Sequence, residues 1–213
     1  MKKHGAIIIA LVLTQLVSAQ KSFYSGAFVL SANFGVDGNL TNQHYFNQAE
    51  NNAQTLNGTV AASNFNITGE FGLLDWLGLG VIARVDKYYL NNNEVTNTMP
   101  NAGAFDLGGT ANIHFLRFKH FDLLGGYDIG LSQFTYHLNN GINTMVSGSG
   151  MWSDIHASGR FYFGRFGVNL CLYTPTISYS GLKSSNTPAG EYVVNYWKST
   201  GYGASVGLQY RFF

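Results

Sequence analysis

The sequence has few of the residues that stabilise small secreted domains or cover the surface of soluble enzymes. It contains one cysteine, Cys171, so the chain cannot form an internal disulfide. Charged residues are 11% of the chain, whereas about 25% is usual for soluble domains. The formal charge is +1, which gives no electrostatic case for a nucleic-acid partner. The composition therefore argues against a disulfide scaffold, an ordinary soluble domain and a nucleic-acid-binding protein.

The first residues have the pattern of a cleaved secretion signal. Two lysines precede an apolar stretch over 7–17, which ends in small residues with Ala19 as the last of them. This stretch is shorter than the roughly 20 apolar residues that a spanning helix needs. We therefore predict a signal peptide over 1–19 and one mature domain over 20–213.

What the mature chain does contain is alternation with a period of two residues. Between 202 and 212 the even-numbered residues are apolar or aromatic, and the odd-numbered ones are small or polar. The same kind of split occurs over 64–73 and over 105–115. Successive side chains of a strand point to opposite faces, so each stretch predicts a strand with one apolar and one polar face.

Eight such strands are predicted, and the connections between them alternate between long and short. The predicted strands are 22–36, 61–74, 77–90, 104–116, 121–136, 151–163, 166–180 and 201–213. Long polar connections, rich in asparagine, are predicted over 37–60, 91–103, 137–150 and 181–200. Outer-membrane barrels have short periplasmic turns, longer external loops and strands of about ten residues, which is this pattern. Alternation alone also allows a soluble β-sandwich.

Aromatic residues favour the membrane interpretation because their rings prefer the two interfaces between lipid and water. One predicted band lies near the short turns and comprises Trp76, Phe118, Phe121, Phe163, Phe166, Phe212 and Phe213. The other lies near the long connections and comprises Tyr88, Tyr89, Tyr136, Trp152, Tyr179, Trp197 and Tyr202. Packing of the same rings in a sandwich core is the alternative.

A cleaved signal, eight alternating strands and the terminal Tyr210-Arg211-Phe212-Phe213 together resemble the small OmpA-like and OmpX-like outer-membrane barrels. The passage 71–80, around the first short turn, is similar to barrel proteins common in Bacteroidetes. The resemblance covers the whole mature chain. It implies an all-β, eight-stranded, antiparallel up-and-down transmembrane barrel with both termini on the periplasmic side. It also implies that Tyr210, Phe212 and Phe213 form the C-terminal signal for the barrel-insertion machinery, although Phe213 falls on the opposite face from Phe212.

If the apolar face of each strand meets lipid, the polar face points into the barrel. The interior of an eight-stranded barrel is just wide enough for side chains to fill, and buried charges persist when they are paired. We therefore expect a packed polar network in the lumen. Its predicted members are Glu70, Arg84, Asp86, Asp106, His114, Asp128, Asp154, His156 and Arg160. A conducting or catalytic role for these residues is the alternative.

The sequence offers one catalytic motif, His156-Ala157-Ser158. It resembles a fragment of the motif of PagL-type lipid A deacylases, which are also eight-stranded barrels, but Gly159 stands where that family has asparagine. Alternation places His156 and Ser158 on the lumen side, away from lipid. Residues two apart on a strand are also roughly 6 to 7 Å apart, beyond the roughly 3 Å of a hydrogen bond. We predict no catalytic residue and keep lipid modification as the least favoured alternative.

No cofactor is expected. His114, His156 and the carboxylates have no spacing that specifies a metal site, and no glycine-rich phosphate loop is present. We predict a non-enzymatic integral barrel in the bacterial outer membrane, surrounded by lipid and lipopolysaccharide. It is expected to bind through its external loops or to serve as an accessory subunit of an outer-membrane protein complex. A narrow pore for ions or small solutes is the alternative.

Overall fold

The structure is a computed structural model that describes residues 21–47, 51–90, 101–138, 144–185 and 193–212. The predicted signal peptide over 1–19 lies outside these residues. Nearly all of the described chain is β-strand, and none of its elements is a helix. The described part accordingly contains no helix that is long and apolar enough to cross a membrane.

The strands are long and follow one another in a simple up-and-down order. They are β1 (Phe28–Asn47), β2 (Asn52–Leu74), β3 (Leu77–Leu90), β4 (Asn101–Arg117), β5 (Phe121–Leu138), β6 (Thr144–Phe163), β7 (Phe166–Ser180), β8 (Lys183–Ser185) and β9 (Val193–Arg211).

Every strand pairs antiparallel with its neighbours, and the sheet closes on itself. The order is β5-β4-β3-β2-β1-β9-β7-β6, and β6 pairs with β5 to complete the ring. The three-residue β8 pairs with β6 just beyond the end of β7, after Gly181 with a φ of 66°. It thus continues the line of β7 past an irregularity, so the barrel has eight strand positions. The predicted fold class is confirmed.

Side chains alternate between the outer wall and the lumen along each strand, except at register shifts near Leu74 and Leu116, next to two of the short turns. Large apolar residues such as Phe34, Val81, Leu107 and Ile155 are exposed on the outside of the ring. Charged side chains, amide side chains and several aromatic side chains are buried inside the ring. This is the inverse of a soluble barrel, and it is the arrangement that a lipid environment requires.

Two sets of predicted boundaries are wrong. At the end of the barrel opposite the short turns, the strands continue far into the predicted loops: β1 and β2 stay paired up to Asn47 and Asn52. Beyond the lipid both faces of a strand are wet, so the ladder continues there without apolar alternation to reveal it. At the N-terminus, residues 22–27 were predicted as strand, but β1 starts at Phe28. Gly26 has a φ of 87°, which ends the extended conformation before the strand begins.

Candidate functional site: the barrel interior

Residues 21–27 form a cap across the end of the barrel that carries the short turns. The side chain of Phe23 is fully buried in the lumen and stacks on the ring of His114, with 3.6 Å between centroids and 7° between planes. The amide of Gly26 donates to the carbonyl of Gly72, and the amide of Gly72 donates to the carbonyl of Ala27. A Cβ at Gly72 would collide with the backbone carbonyl of Tyr24, so a glycine at this position lets the cap lie against the barrel.

The cap is also held by side chains at the turn end of the barrel. Arg211 donates from Nη1 to the carbonyl of Ser22 at 2.6 Å. Lys21 donates to Asp75 in the first short turn at 2.7 Å, and the amide of Ser25 donates to the other oxygen of that carboxylate at 3.1 Å. These hydrogen bonds, with the one from Lys21 as the largest cause, lower the pKa of Asp75 below its ordinary value. The turn end of the lumen is therefore closed by the chain's own N-terminal residues.

The opposite end of the lumen is closed by an aromatic cluster. Phe134 lies 4.8 Å from Tyr179 and 4.6 Å from Trp197, and Trp197 lies 5.1 Å from Tyr88, measured between ring centroids. Trp152 and Tyr136 are buried in the same cluster. Five residues of the aromatic band predicted near the long connections therefore point into the lumen: Tyr88, Tyr136, Trp152, Tyr179 and Trp197. Each of them is an even number of residues away from a polar lumen residue on the same strand, and this spacing in the sequence identifies the face on which it lies.

Between these two closures lie two groups of charges. The first, called the turn-end cluster, consists of Glu70, His114, Asp122 and Arg160. Arg160 is 2.6 Å from Glu70 and 4.0 Å from Asp122. His114 is 2.9 Å from Glu70 through Nε2 and 2.8 Å from Asp122 through Nδ1. Carboxylates only accept hydrogen bonds, so both ring nitrogens of His114 donate, and two cations then face two anions.

The second group, called the acidic cluster, consists of Arg84, Asp86, Asp106, Asp128, Asp154 and His156. Arg84 donates from Nε to Asp86 at 3.0 Å and to Asp106 at 2.9 Å, and its Nη1 is 3.5 Å from Asp154. The guanidinium also lies 4.4 Å from the centre of the Trp152 ring, which joins this cluster to the aromatic cluster. Four carboxylates here face one guanidinium and one imidazole.

The register of three strands positions His156. Asn112, Gly126 and His156 are paired in one row across β4, β5 and β6. A Cβ at Gly126 would collide with both neighbouring side chains, so the glycine allows Asn112 Oδ1 and His156 Nε2 to meet above it at 3.0 Å. Beside this row lies a cavity of about 60 Å³, lined among others by Asp128, Asp154 and His156. A cavity of this size exceeds the roughly 15 Å³ that one water needs, so it has room for ordered water.

The candidate catalytic pair is not assembled. The Nδ1 of His156 faces Asp154 and Asp128, and its Nε2 faces Asn112. Ser158 is buried in the lumen, on the side away from the apolar outer wall. Cys171 also lines the cavity. In the described part of the barrel, neither ring nitrogen of His156 is directed at a nucleophile.

The structure brings all nine predicted network residues to the interior and divides them between the two clusters. Asp122 was missed because it lies at the very start of its strand, although it has the same parity as Asp128 in β5. Asp37 was missed because it was assigned to a loop; it accepts hydrogen bonds from Asn64 and Tyr173 inside the barrel. Of the predicted insertion signal, Tyr210 and Phe212 close the ring beside β1, with Phe212 5.4 Å from Phe28. Phe213 lies outside the described residues.

Comparison with known proteins identifies the architecture. No protein-family model and no curated protein matches the sequence. The outer membrane protein OprG from Pseudomonas aeruginosa superposes with a TM-score of 0.55 at 10% identity, covering 89% of this chain and 97% of that one. Outer membrane protein AlkL superposes with a TM-score of 0.55 at 12% identity, covering 92% and 94%. The chain therefore has the fold of the small eight-stranded outer-membrane barrels, as predicted, and the similarity to the Bacteroidetes proteins stays a prediction.

Proposed function

We propose that the chain is a non-enzymatic, closed outer-membrane barrel that binds another envelope or extracellular molecule through the hairpin formed by β1 and β2. In this proposal the short turns and both termini are periplasmic, and the outer wall is surrounded by lipid and lipopolysaccharide. The terminal Tyr210, Phe212 and Phe213 serve as the signal for the barrel-insertion machinery. The partner is either a separate ligand or the principal subunit of an outer-membrane complex.

The observation that carries the proposal is the length of this hairpin. The pairing of β1 with β2 runs from Phe28 and Phe71 up to Asn47 and Asn52, whereas pairing of β2 with β3 begins only at Val60. All residues of 51–59 are exposed, and none of them is charged. On its other side β1 stays paired with β9 up to Phe46 and Val193, so β2 forms the edge of this projecting segment. That edge offers backbone and amide groups to a partner at a distance from the lipid. Exposed connecting segments on a rigid scaffold are also where binding function concentrates.

The interior supports a scaffold rather than a pore. The cap around Phe23 and the aromatic cluster around Trp197 close its two ends, and the cavity between them is about 60 Å³. Conduction through this lumen would require both closures to move. The alternative of a narrow pore is tested by planar-bilayer recording of the wild-type protein. We expect no current above the lipid baseline, and reproducible unitary steps would replace the scaffold proposal with the pore.

Lipid modification is the least favoured alternative because Ser158 and His156 lie inside the barrel. Mass spectrometry of lipid A and phospholipids, with and without expression of the protein, tests it directly. We expect identical lipid profiles. A change that disappears in the Ser158→Ala variant would establish an enzyme instead.

The binding proposal is tested by shortening the hairpin without changing its register. Gln43 pairs with Leu56, and Asn42 pairs with Asn57, so residues 43–56 can be replaced by an Asn-Gly turn between two paired positions. The matched control replaces the segment between Leu138 and Thr144, which are also paired, by the same turn. Both variants are checked for insertion by heat-modifiable migration on gels.

The readout is chemical cross-linking on intact cells of the native species, followed by purification and mass spectrometry. We expect one partner at constant stoichiometry with the wild type and with the control variant, and its loss when residues 43–56 are removed. Recovery of the same partner from the shortened hairpin would contradict the proposal. Recovery of the wild-type barrel alone under all conditions would do so as well.

A further inference from the structure

Three metal-ligand groups of the acidic cluster meet at one point in the lumen. One coordinating atom from each of Asp128, Asp154 and His156 lies within 4.8 Å of the other two. The Nδ1 of His156 is 3.3 Å from Asp154 Oδ1 and 3.5 Å from Asp128 Oδ2. Ligand atoms in a tetrahedral zinc site with bonds of about 2.1 Å are about 3.4 Å apart. We propose that these three residues bind a divalent first-row transition-metal ion of the zinc type.

The orientation of His156 supports a metal at Nδ1. An amide oxygen only accepts hydrogen bonds, so the contact with Asn112 Oδ1 at 3.0 Å places a proton on Nε2. Without a metal, Nδ1 donates its own proton to these carboxylates. A metal ion displaces that proton, and the lone pair of Nδ1 then points to the metal between the two carboxylates. Metal-binding histidines commonly donate their second ring N–H to a carbonyl or carboxylate in this way. A cation between Nδ1 and the two carboxylates satisfies all three groups.

Asp128 gives a second and independent indication. Its Oδ2 is the oxygen that lies 3.5 Å from His156. The other oxygen, Oδ1, is buried and has no hydrogen-bond partner among the described residues, and the residue is 5% exposed. Leaving a buried carboxylate oxygen without a partner is costly, and a metal ion held by both oxygens of Asp128 would remove this cost. Asp128 also lines the cavity beside His156, which has room for a water in the fourth coordination position.

The charge of the acidic cluster favours a cation. With His156 neutral, as a metal ligand must be, the four carboxylates exceed Arg84 by three charges, and a divalent ion offsets two of them. Arg84 approaches Asp154 at Oδ2, 3.5 Å away, whereas the proposed ligand atom is Oδ1. The guanidinium therefore neutralises the oxygen that the metal does not use. One imidazole with two carboxylates suits zinc, iron or manganese better than the all-oxygen sites of magnesium and calcium.

The test measures Zn²⁺ and Co²⁺ binding by the full-length mature protein, isolated in detergent and treated with a chelator. We expect one Zn²⁺ per barrel, and Co²⁺ absorption bands of the intensity typical of four-coordinate sites. His156→Gln and Asp128→Asn are expected to abolish this binding. Asn112→Leu, which removes the acceptor of the Nε2 proton, is expected to weaken it about 10- to 100-fold.

Asp122→Asn is the matched control because Asp122 is equally buried in the lumen but belongs to the turn-end cluster. Its Zn²⁺ affinity should equal that of the wild type. Binding that survives both His156→Gln and Asp128→Asn would show an adventitious surface site and overturn the proposal. Failure of the wild type to bind either ion at millimolar concentration would also overturn it, and would indicate that a proton bridges His156 and the carboxylates.

X-ray absorption of the Zn²⁺-loaded wild type keeps the proposal testable if the variants do not fold. We expect only nitrogen and oxygen ligands, at about 2.0 to 2.2 Å. Cys171 lines the same cavity, so a sulfur ligand at about 2.3 Å would show a different site and contradict the assignment. The outcome is independent of the hairpin, since the metal and the proposed partner occupy different parts of the molecule.

Discussion

The two charged clusters of the lumen are built from the same residue types but differ in their balance. The turn-end cluster pairs Arg160 and His114 with Glu70 and Asp122, and Phe23 covers the ring of His114. The acidic cluster has four carboxylates for one guanidinium and one imidazole, and it borders a cavity. A buried charge is stable only with compensation, so the first cluster is complete in itself and the second requires positive charge from elsewhere.

The largest expected effect comes from removing the central cation of each cluster. Arg84→Met leaves Asp86, Asp106 and Asp154 without their guanidinium, whereas Arg160→Met leaves two carboxylates that keep His114. Breaking a buried ion pair costs about 3–5 kcal/mol. We expect both variants to lose stability on this scale and Arg84→Met to lose more. Urea unfolding in lipid vesicles measures it, and an equal or smaller loss for Arg84→Met would remove the distinction between the clusters.

A smaller loss is expected from the cap, which covers only the turn-end cluster. Phe23→Ala removes a fully buried ring and exposes His114 to water. Truncating a buried phenylalanine costs about 3–5 kcal/mol in protein cores, and we expect the lower end here because water can fill the space at the barrel mouth. The half-buried neighbour Tyr24 provides the control, since Tyr24→Ala should cost clearly less in the same urea experiment. Equal effects would mean that Phe23 is not the anchor of the cap.

Neutralising one carboxylate should change stability in opposite directions in the two clusters. Asp122→Asn weakens the charged hydrogen bonds to His114 and should lower the free energy of unfolding by about 2 kcal/mol. Asp106→Asn removes one excess charge. Asp86 and Asp106 both accept from Nε of Arg84, so the new amide lies close enough to donate to the carboxylate of Asp86. A gain of about 1 kcal/mol is expected.

Both aspartate variants are compared with the wild type in chelator, so that metal binding does not contribute. A loss of similar size at both positions would show that the excess of carboxylates in the acidic cluster is already compensated within the protein. It would also weaken the charge argument for the metal, while leaving the distances around His156 as they are.

The sequence predicted the strand segments that lie within the lipid. Where one strand face meets lipid and the other meets the lumen, alternation is strong, and it located the eight strands and the nine network residues. It failed where that constraint is absent. Residues 39–47 and 52–59 extend β1 and β2 without a sustained apolar alternation in the sequence, so only the backbone ladder shows that they are strand.

The spacing of residues along each strand also identifies the aromatic side chains of the interior. Tyr88 has the same parity as Arg84 and Asp86 in β3, and Trp152 has that of Asp154 in β6, so their side chains point into the lumen. Aromatic rings often lie at the interfaces between lipid and water, which led to the prediction of a band on the outer wall. In the structure these rings instead pack together inside the lumen and close it. The cap had no periodic signal at all, because its position depends on contacts with distant residues such as Gly72 and Arg211.

The smallest effect is expected at the exposed ion pair between Lys21 of the cap and Asp75. The pKa of Asp75 is lowered in the folded protein, chiefly by the hydrogen bond from Lys21. A carboxyl with a lowered pKa contributes stability above its unfolded pKa, and this contribution is lost as the pH falls through the folded pKa. Lys21→Met should therefore lower the urea midpoint slightly at pH 6, and the difference from wild type should shrink below about pH 4.

This pH dependence separates the outer contact from the lumen. Asp75 is exposed to solvent, so salt screens its pair with Lys21, and the Lys21→Met effect should decrease in high salt. The buried pair of Asp122 with His114 is shielded from salt, so the Asp122→Asn effect should persist under the same conditions. If the Lys21→Met difference grew as the pH fell, Asp75 would not be the group that holds Lys21, and the cap would depend on Phe23, Arg211 and its backbone hydrogen bonds with Gly72.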